Sequence, residues 1–128
     1  MFRSLNIMEK DEFEKIVQQG ISLIPEKFRR LMENVDIVIE DYPNQEQLRK
    51  THLSGNQTLF GLYEGVPKTN RGTNYANVLP DKITIFQKPI ENFSPDFRAM
   101  EKLVADTIWH EIAHHFGLSE KEIRQRNV

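Results

Sequence analysis

Cysteine is absent from this chain, so disulfides and thiolate metal ligands are excluded and any metal must be held by nitrogen and oxygen. No apolar run is long enough to cross a bilayer, and the first twenty residues lack the continuous apolar core of an export leader. Neither sign of charge dominates. The 17 basic and 19 acidic residues leave a formal charge of −2, so no basic excess points to nucleic acid or to an anionic membrane. A cytoplasmic monomer with no nucleic-acid or membrane partner is the expectation. The 128 residues suffice for one domain, read as spanning 1–128, and 38% hydrophobic content is enough for one core.

What is present is concentrated near the C-terminus. Three of the four histidines fall within residues 110–115, in the pattern His110-Glu111-Ile112-Ala113-His114-His115-Phe116-Gly117-Leu118-Ser119-Glu120, or H-E-x-x-H-x-x-G-x-x-E. Helix positions four apart lie nearly above one another, so His110 and His114 present two imidazoles to one point, as a tetrahedral zinc site requires. Glu111, one residue round the helix, can touch a water held on that metal. Gly117 can adopt the left-handed conformation that ends a helix, and a chain turned there could return Glu120 as a third ligand.

Two imidazoles and one carboxylate leave one zinc position open, as a catalytic site needs. Water held on Zn2+ has its pKa lowered to about 7, and Glu111 would take its proton during attack on a carbonyl and pass it to the leaving amine. That chemistry is amide hydrolysis. Asp106, four residues before His110, is either an acceptor orienting the His110 ring or a solvated carboxylate. Arg71, Tyr63 and Tyr75 are candidates, by residue type alone, for a further donor to the oxyanion. His115 points toward the apolar side and is read as a packing residue rather than a ligand. His52, with no spaced partner, is read as solvated.

The remainder supplies a frame. Phe13, Ile16, Val17 and Ile21 lie at helical spacing over residues 9–21, with Gly20 expected to loosen the end. Pro25 suits the first turn of a second helix, with Phe28, Leu31, Met32 and Val35 as its buried set and Asn34 as its stop. Strands are expected at Val35–Glu40, Leu59–Glu64 and Lys82–Gln87, the last ended by Pro89. Gly61 inside the second strand marks a bulge or a close approach. A short helix is expected around Gln45–Lys50. Residues 65–81 form either a plain connection or a substrate-contacting loop.

Ser94-Pro95-Asp96 reads as a helix start with Ser94 as cap, for a helix from Pro95 to Phe116, about 33 Å long. Phe97, Val104, Ile108 and Ile112 form its apolar face and Trp109 is core. Leu103, Asp106, Thr107, His110 and His114 form a second face toward a cleft. A last short helix over 119–126 would be capped by Ser119 and Glu122. The order argues α+β, with a three- to four-stranded sheet packed on the long helix beside N-terminal helices.

These segments together resemble the minimal bacterial zincin-like metallopeptidases. The resemblance is carried by the C-terminal motif and, in order, by F-E-K-I-V, I-P-E-K-F-R-R, V-D-I-V-I-E-D-Y-P, L-F-G-L-Y-E-G-V-P and L-P-D-K-I-T-I-F-Q-K-P-I. It implies a compact zincin, with His110 and His114 as zinc ligands and Glu111 as the base. Glu120 falls where metzincins carry a third histidine, and this family tends to have an acid there. With eight residues of the sequence following Glu120, a methionine turn of the kind that supports the metzincin site is not expected. The resemblance also implies that an extended peptide pairs with the strand bordering the cleft, either Leu59–Glu64 or Lys82–Gln87. Two other functions remain open at this point: a zincin-fold binding or regulatory module with little turnover, and a purely structural metal site. The retained Glu111 speaks against the second, since structural zinc needs no base.

Overall fold

The computed structural model describes residues 8–51, 58–65, 80–118 and 121. Its elements are α1 (Lys10–Ser22), α2 (Glu26–Arg29) running into a 3-10 turn (Arg30–Met32), β1 (Val35–Glu40), α3 (Gln45–Thr51), β2 (Gly61–Glu64), β3 (Asp81–Phe86), α4 (Gln87–Phe93) and α5 (Phe97–His115). The three strands form one mixed sheet in the order β1-β3-β2. The fold is therefore α+β, with three strands rather than four among the described residues. No helix among the described residues is long and apolar enough to cross a membrane.

The β-branched run Val35–Glu40 pairs in parallel with β3, bringing Ile37 opposite Ile83 and Ile39 opposite Ile85. β2 pairs with β3 antiparallel, Gly61 opposite Ile85 and Tyr63 opposite Ile83. Central β3 carries the fully buried Ile83, Ile85 and Phe86. Among the described residues β2 is thus at an edge of the sheet, and β3, the other strand that could border the cleft, is central.

Helix α5 buries Met100, Val104, Ala105, Ile108, Trp109, Ile112 and Ala113, a stripe recurring every three to four residues. Each large member, removed from water, contributes about 1.5–3 kcal/mol. Phe97 is not part of the stripe, being 52% exposed. It sits at the first position of the helix, one turn before the first buried residue of the stripe, Met100. Trp109 packs on Phe28 with ring centroids 4.4 Å apart, which ties the α2 segment to α5. Phe28, Leu31 and Met32 are only partly buried in doing so. Helix α1 lays Phe13, Ile16, Val17 and Gly20 on the core. Gly20 does not loosen α1. It lets the helix approach α5 so closely that a Cβ there would lie 2.9 Å from the Glu101 carbonyl oxygen and from the Val104 side chain.

Two boundaries differ from expectation. β3 ends at Phe86, and the chain enters α4 with Pro89 as its third residue. Proline is tolerated in a first turn, because the N–H it lacks would have no partner there. The cap of α5 is Asp96, whose Oδ1 accepts from the Ala99 N–H at 2.8 Å. Ser94 instead donates its hydroxyl to the Ile90 carbonyl, closing α4.

The other end of α5 turns sharply. Gly117 has φ +78°, the Leu118 N–H reaches the Ala113 carbonyl at 2.9 Å, and the Gly117 N–H reaches the His114 carbonyl at 3.1 Å. This is a Schellman closure, and Leu118 packs back on the Trp109–Ala113 cluster. The expected turn after the second histidine is present. The final helix over 119–126 lies outside the described residues apart from Lys121.

Candidate active site

His110 and His114 stand on the solvent side of α5, one turn apart, with ring centroids 5.4 Å apart and planes at 77°. Zinc bonds imidazole nitrogen at about 2.0–2.1 Å, so two rings sharing one tetrahedral ion would have centroids about 5 Å apart. The observed separation and the two-nitrogen donor set fit such an ion. Among the described residues no group of three His, Asp or Glu side chains comes together to hold a metal. Glu120, expected as the third ligand, lies outside the described residues, as do Arg71, Tyr75 and His52.

Glu111 points from the same turn toward the edge of the sheet. Its Oε1 accepts the backbone N–H of Tyr63 at 2.9 Å. The Phe86 N–H donates to the Phe60 carbonyl, so by alternation Gly61 and Tyr63 turn their backbone groups away from β3. Glu111 thus meets β2 on the side that faces away from β3. Burial pushes the Glu111 carboxyl above the ordinary carboxylate range, against the opposing pull of the Tyr63 N–H and of the His114 and His110 rings.

Gly61 shows why β2 comes so near. A Cβ at this position would lie 2.6 Å from Thr107 Cγ2, so the strand rests on α5 only because a hydrogen stands there. Between them opens a cleft of about 270 Å³, lined by Thr58, Leu59, Phe60, Leu103, Asp106 and Thr107 and ending on His110 and Glu111. Of the α5 face expected to look into a cleft, Leu103, Asp106, Thr107 and His110 line this one and His114 does not. A larger groove of about 960 Å³ lies between α1 and β1, but no residue of the histidine motif lines it.

Tyr63 is held by two further groups. Its hydroxyl donates to Asp81 Oδ2 at 2.6 Å, and its ring stacks on His115 with centroids 4.0 Å apart and planes at 16°. His115 Nε2 lies 3.8 Å from the same Asp81 oxygen. His115 is therefore a packing residue, as expected, but on the exposed side of α5 rather than the apolar side. The Tyr63 hydroxyl, considered for the oxyanion, is engaged with Asp81. Asp106 approaches Lys102 at 3.9 Å in an exposed pair that contributes little to stability. At the far end of β2, Glu64 takes a 2.6 Å hydrogen bond from Lys50 of α3, which raises the lysine pKa.

Sequence reasoning missed the Tyr63–Glu111 contact and the part of Asp81. The first involves a backbone group and leaves no side-chain signal; the second sits at the junction of a loop and a strand, where no periodicity marks it.

No curated protein matches the chain. A solved structure, a conserved hypothetical protein from T. thermophilus, is similar in fold, with a TM-score of 0.53 at 21% identity over 92% of this chain and 99% of that one. The zincin-like metallopeptidase family model matches residues 32–128, from the turn before β1 through the paired histidines. With that match spanning most of its length, the chain belongs to the zincin-like metallopeptidase family.

Proposed function

We propose that this protein is a zinc-dependent peptidase in which His110, His114 and Glu120 hold the metal and Glu111 is the general base. One observation carries the reading: Glu111 lies between an imidazole pair and the side of β2 that faces away from β3, at the head of a cleft. A structural metal site has no use for a carboxylate so placed.

The two imidazoles and the Glu120 carboxylate would bind the ion and leave one position open. Zinc supplies Lewis acidity there, polarising a carbonyl and acidifying the attacking water. The chain's own residues do the rest. The backbone N–H and C=O of Gly61, which point away from β3, pair with an extended peptide and align it along α5. The Tyr63 N–H anchors Glu111 Oε1, so Oε2 takes the proton from water as the water oxygen bonds to the carbonyl carbon. The same oxygen returns the proton to the amine as the C–N bond breaks. Burial raises the Glu111 pKa above the ordinary carboxylate range, the direction that favours a carboxylate as a proton acceptor.

The test is digestion of a random peptide library by the zinc-loaded protein, with Glu111→Gln as control. Cleavage by the wild type and about a thousandfold less by the variant supports the reading. Peptide capture without turnover, equal in both proteins, would assign the chain instead to a binding module.

A further inference from the structure

The cleft on His110 and Glu111 does not stop at its mouth. A second hollow of about 250 Å³ continues along α5, lined by Phe93, Ser94, Pro95, Ala99 and Lys102, and it shares Leu103 and Asp106 with the first. Phe60 of the first hollow touches Phe93 of the second, with ring centroids 5.3 Å apart, so the two form one groove with an aromatic wall. Phe93 is 68% exposed. A lone exposed aromatic needs no explanation, but this one extends an apolar floor made by Leu103, Ala99 and Pro95. The charged groups at its rim, Lys102 and Asp106, face each other at 3.9 Å and offset one another. The groove is therefore suited to an uncharged, apolar side chain.

Its distance from the histidines sets which substrate residue could reach it. Leu103 lies seven residues before His110 and Ala99 eleven, about 10 and 16 Å along the helix axis. An extended peptide rises about 3.4 Å per residue, so the groove is reached three to five residues from the reacting bond. Direction follows from β2. Gly61 abuts Thr107 while Tyr63 abuts Glu111 and His115, so β2 and α5 run the same way. A peptide adding to β2 in the more stable antiparallel sense would run its C-terminal part toward Leu103 and Phe93.

We propose that this groove is a remote subsite for a bulky apolar side chain, aromatic or large aliphatic, three to five residues C-terminal to the cleaved bond. The position of that bond rests on the peptidase reading above. Substrates are accordingly extended segments of at least three residues beyond the bond, and dipeptides or tripeptides lack the part that this groove holds.

The test separates the two readings by measuring binding where turnover is removed. Fluorescein-labelled decapeptides of alanine and serine, each with one phenylalanine moved along the chain, are titrated into the zinc-loaded Glu111→Gln protein and followed by anisotropy. The best phenylalanine position should bind about tenfold tighter than the alanine parent. That gain should vanish in Phe93→Ala and in Leu103→Ala. Phe93 is largely exposed, so its truncation leaves the core intact. Digestion of the same peptides by the wild type should place the cut three to five residues before that phenylalanine. Equal binding of all peptides, no binding, or a gain that survives both truncations would overturn the subsite, whether or not the wild type cleaves. A cut C-terminal to the phenylalanine would overturn the stated direction.

Discussion

The backbone N–H of Tyr63 donates to Glu111 Oε1 at 2.9 Å, joining the edge of the sheet to the histidine-bearing turn of α5. The bond fixes one carboxylate oxygen and places the whole group where desolvation opposes its charge. The Tyr63 side chain is itself held at two points, its hydroxyl donating to the Asp81 carboxylate and its ring stacking on the His115 imidazole. A side chain on the helix is thus aimed by a strand, and the strand is aimed by residues from two other elements.

The raised pKa of Glu111 has a stability consequence with a definite sign. The folded protein holds this proton more tightly than the unfolded chain does, so ionising Glu111 costs stability as pH rises above the ordinary carboxylate value of about 4.3. The cost is complete once pH exceeds the folded pKa and absent well below 4.3. Glu111→Gln removes the charge and keeps an oxygen for the Tyr63 N–H. Calorimetry of metal-free proteins should therefore give the variant a higher melting temperature than wild type at pH 7, with the gap closing toward pH 4.

Gly61→Ala should cost about 1–3 kcal/mol in urea denaturation, since the new methyl would overlap Thr107 Cγ2 at 2.6 Å. Thr107→Ser removes that methyl. The double variant should regain part of the loss, whereas additive losses would show that the strand does not rest on Thr107.

Asp96→Ala should lower stability by about 1 kcal/mol, because the Ala99 N–H loses its acceptor, and Asp96→Asn should restore most of it. The check is the chemical-denaturation midpoint of the three proteins.

Tyr63→Phe keeps the stack on His115 and deletes the hydroxyl bonded to Asp81 at 2.6 Å. A part-buried carboxylate that loses a donor should cost about 1–3 kcal/mol, read from urea midpoints. Asp81→Asn can still accept the Tyr63 hydroxyl and should cost less.

Much of this was legible from residue pattern. Period-two runs located Val35–Glu40 and β3, the period of 3.6 located α1 and α5, and Gly117 marked the turn after the histidines. The i, i+4 rule put His110 and His114 on one face, with Leu103, Asp106 and Thr107 toward the cleft. What escaped notice has physical reasons. Pro89 reads as a terminator, yet in a first turn it starts α4 as readily as it stops a strand. Ser94 and Asp96 are both good caps, and only the geometry of the α4–α5 corner decides between them. Phe97 fits the apolar period but sits at a helix end beyond the core. His115 fits the apolar side by angle, but Tyr63 offers it a stacking partner on the exposed side. Tyr63–Glu111 and Tyr63–Asp81 span 48 and 18 residues, and such pairs exist only once the sheet has formed.

The most direct measurement is the zinc content of untagged protein by mass spectrometry, alongside His110→Ala, His114→Ala and Glu111→Gln. The account predicts close to one zinc per chain in the wild type and in Glu111→Gln, and loss of most of it in either histidine variant. Wild-type protein that takes up no zinc, or histidine variants that retain it fully, would contradict the claim that these two rings share one ion.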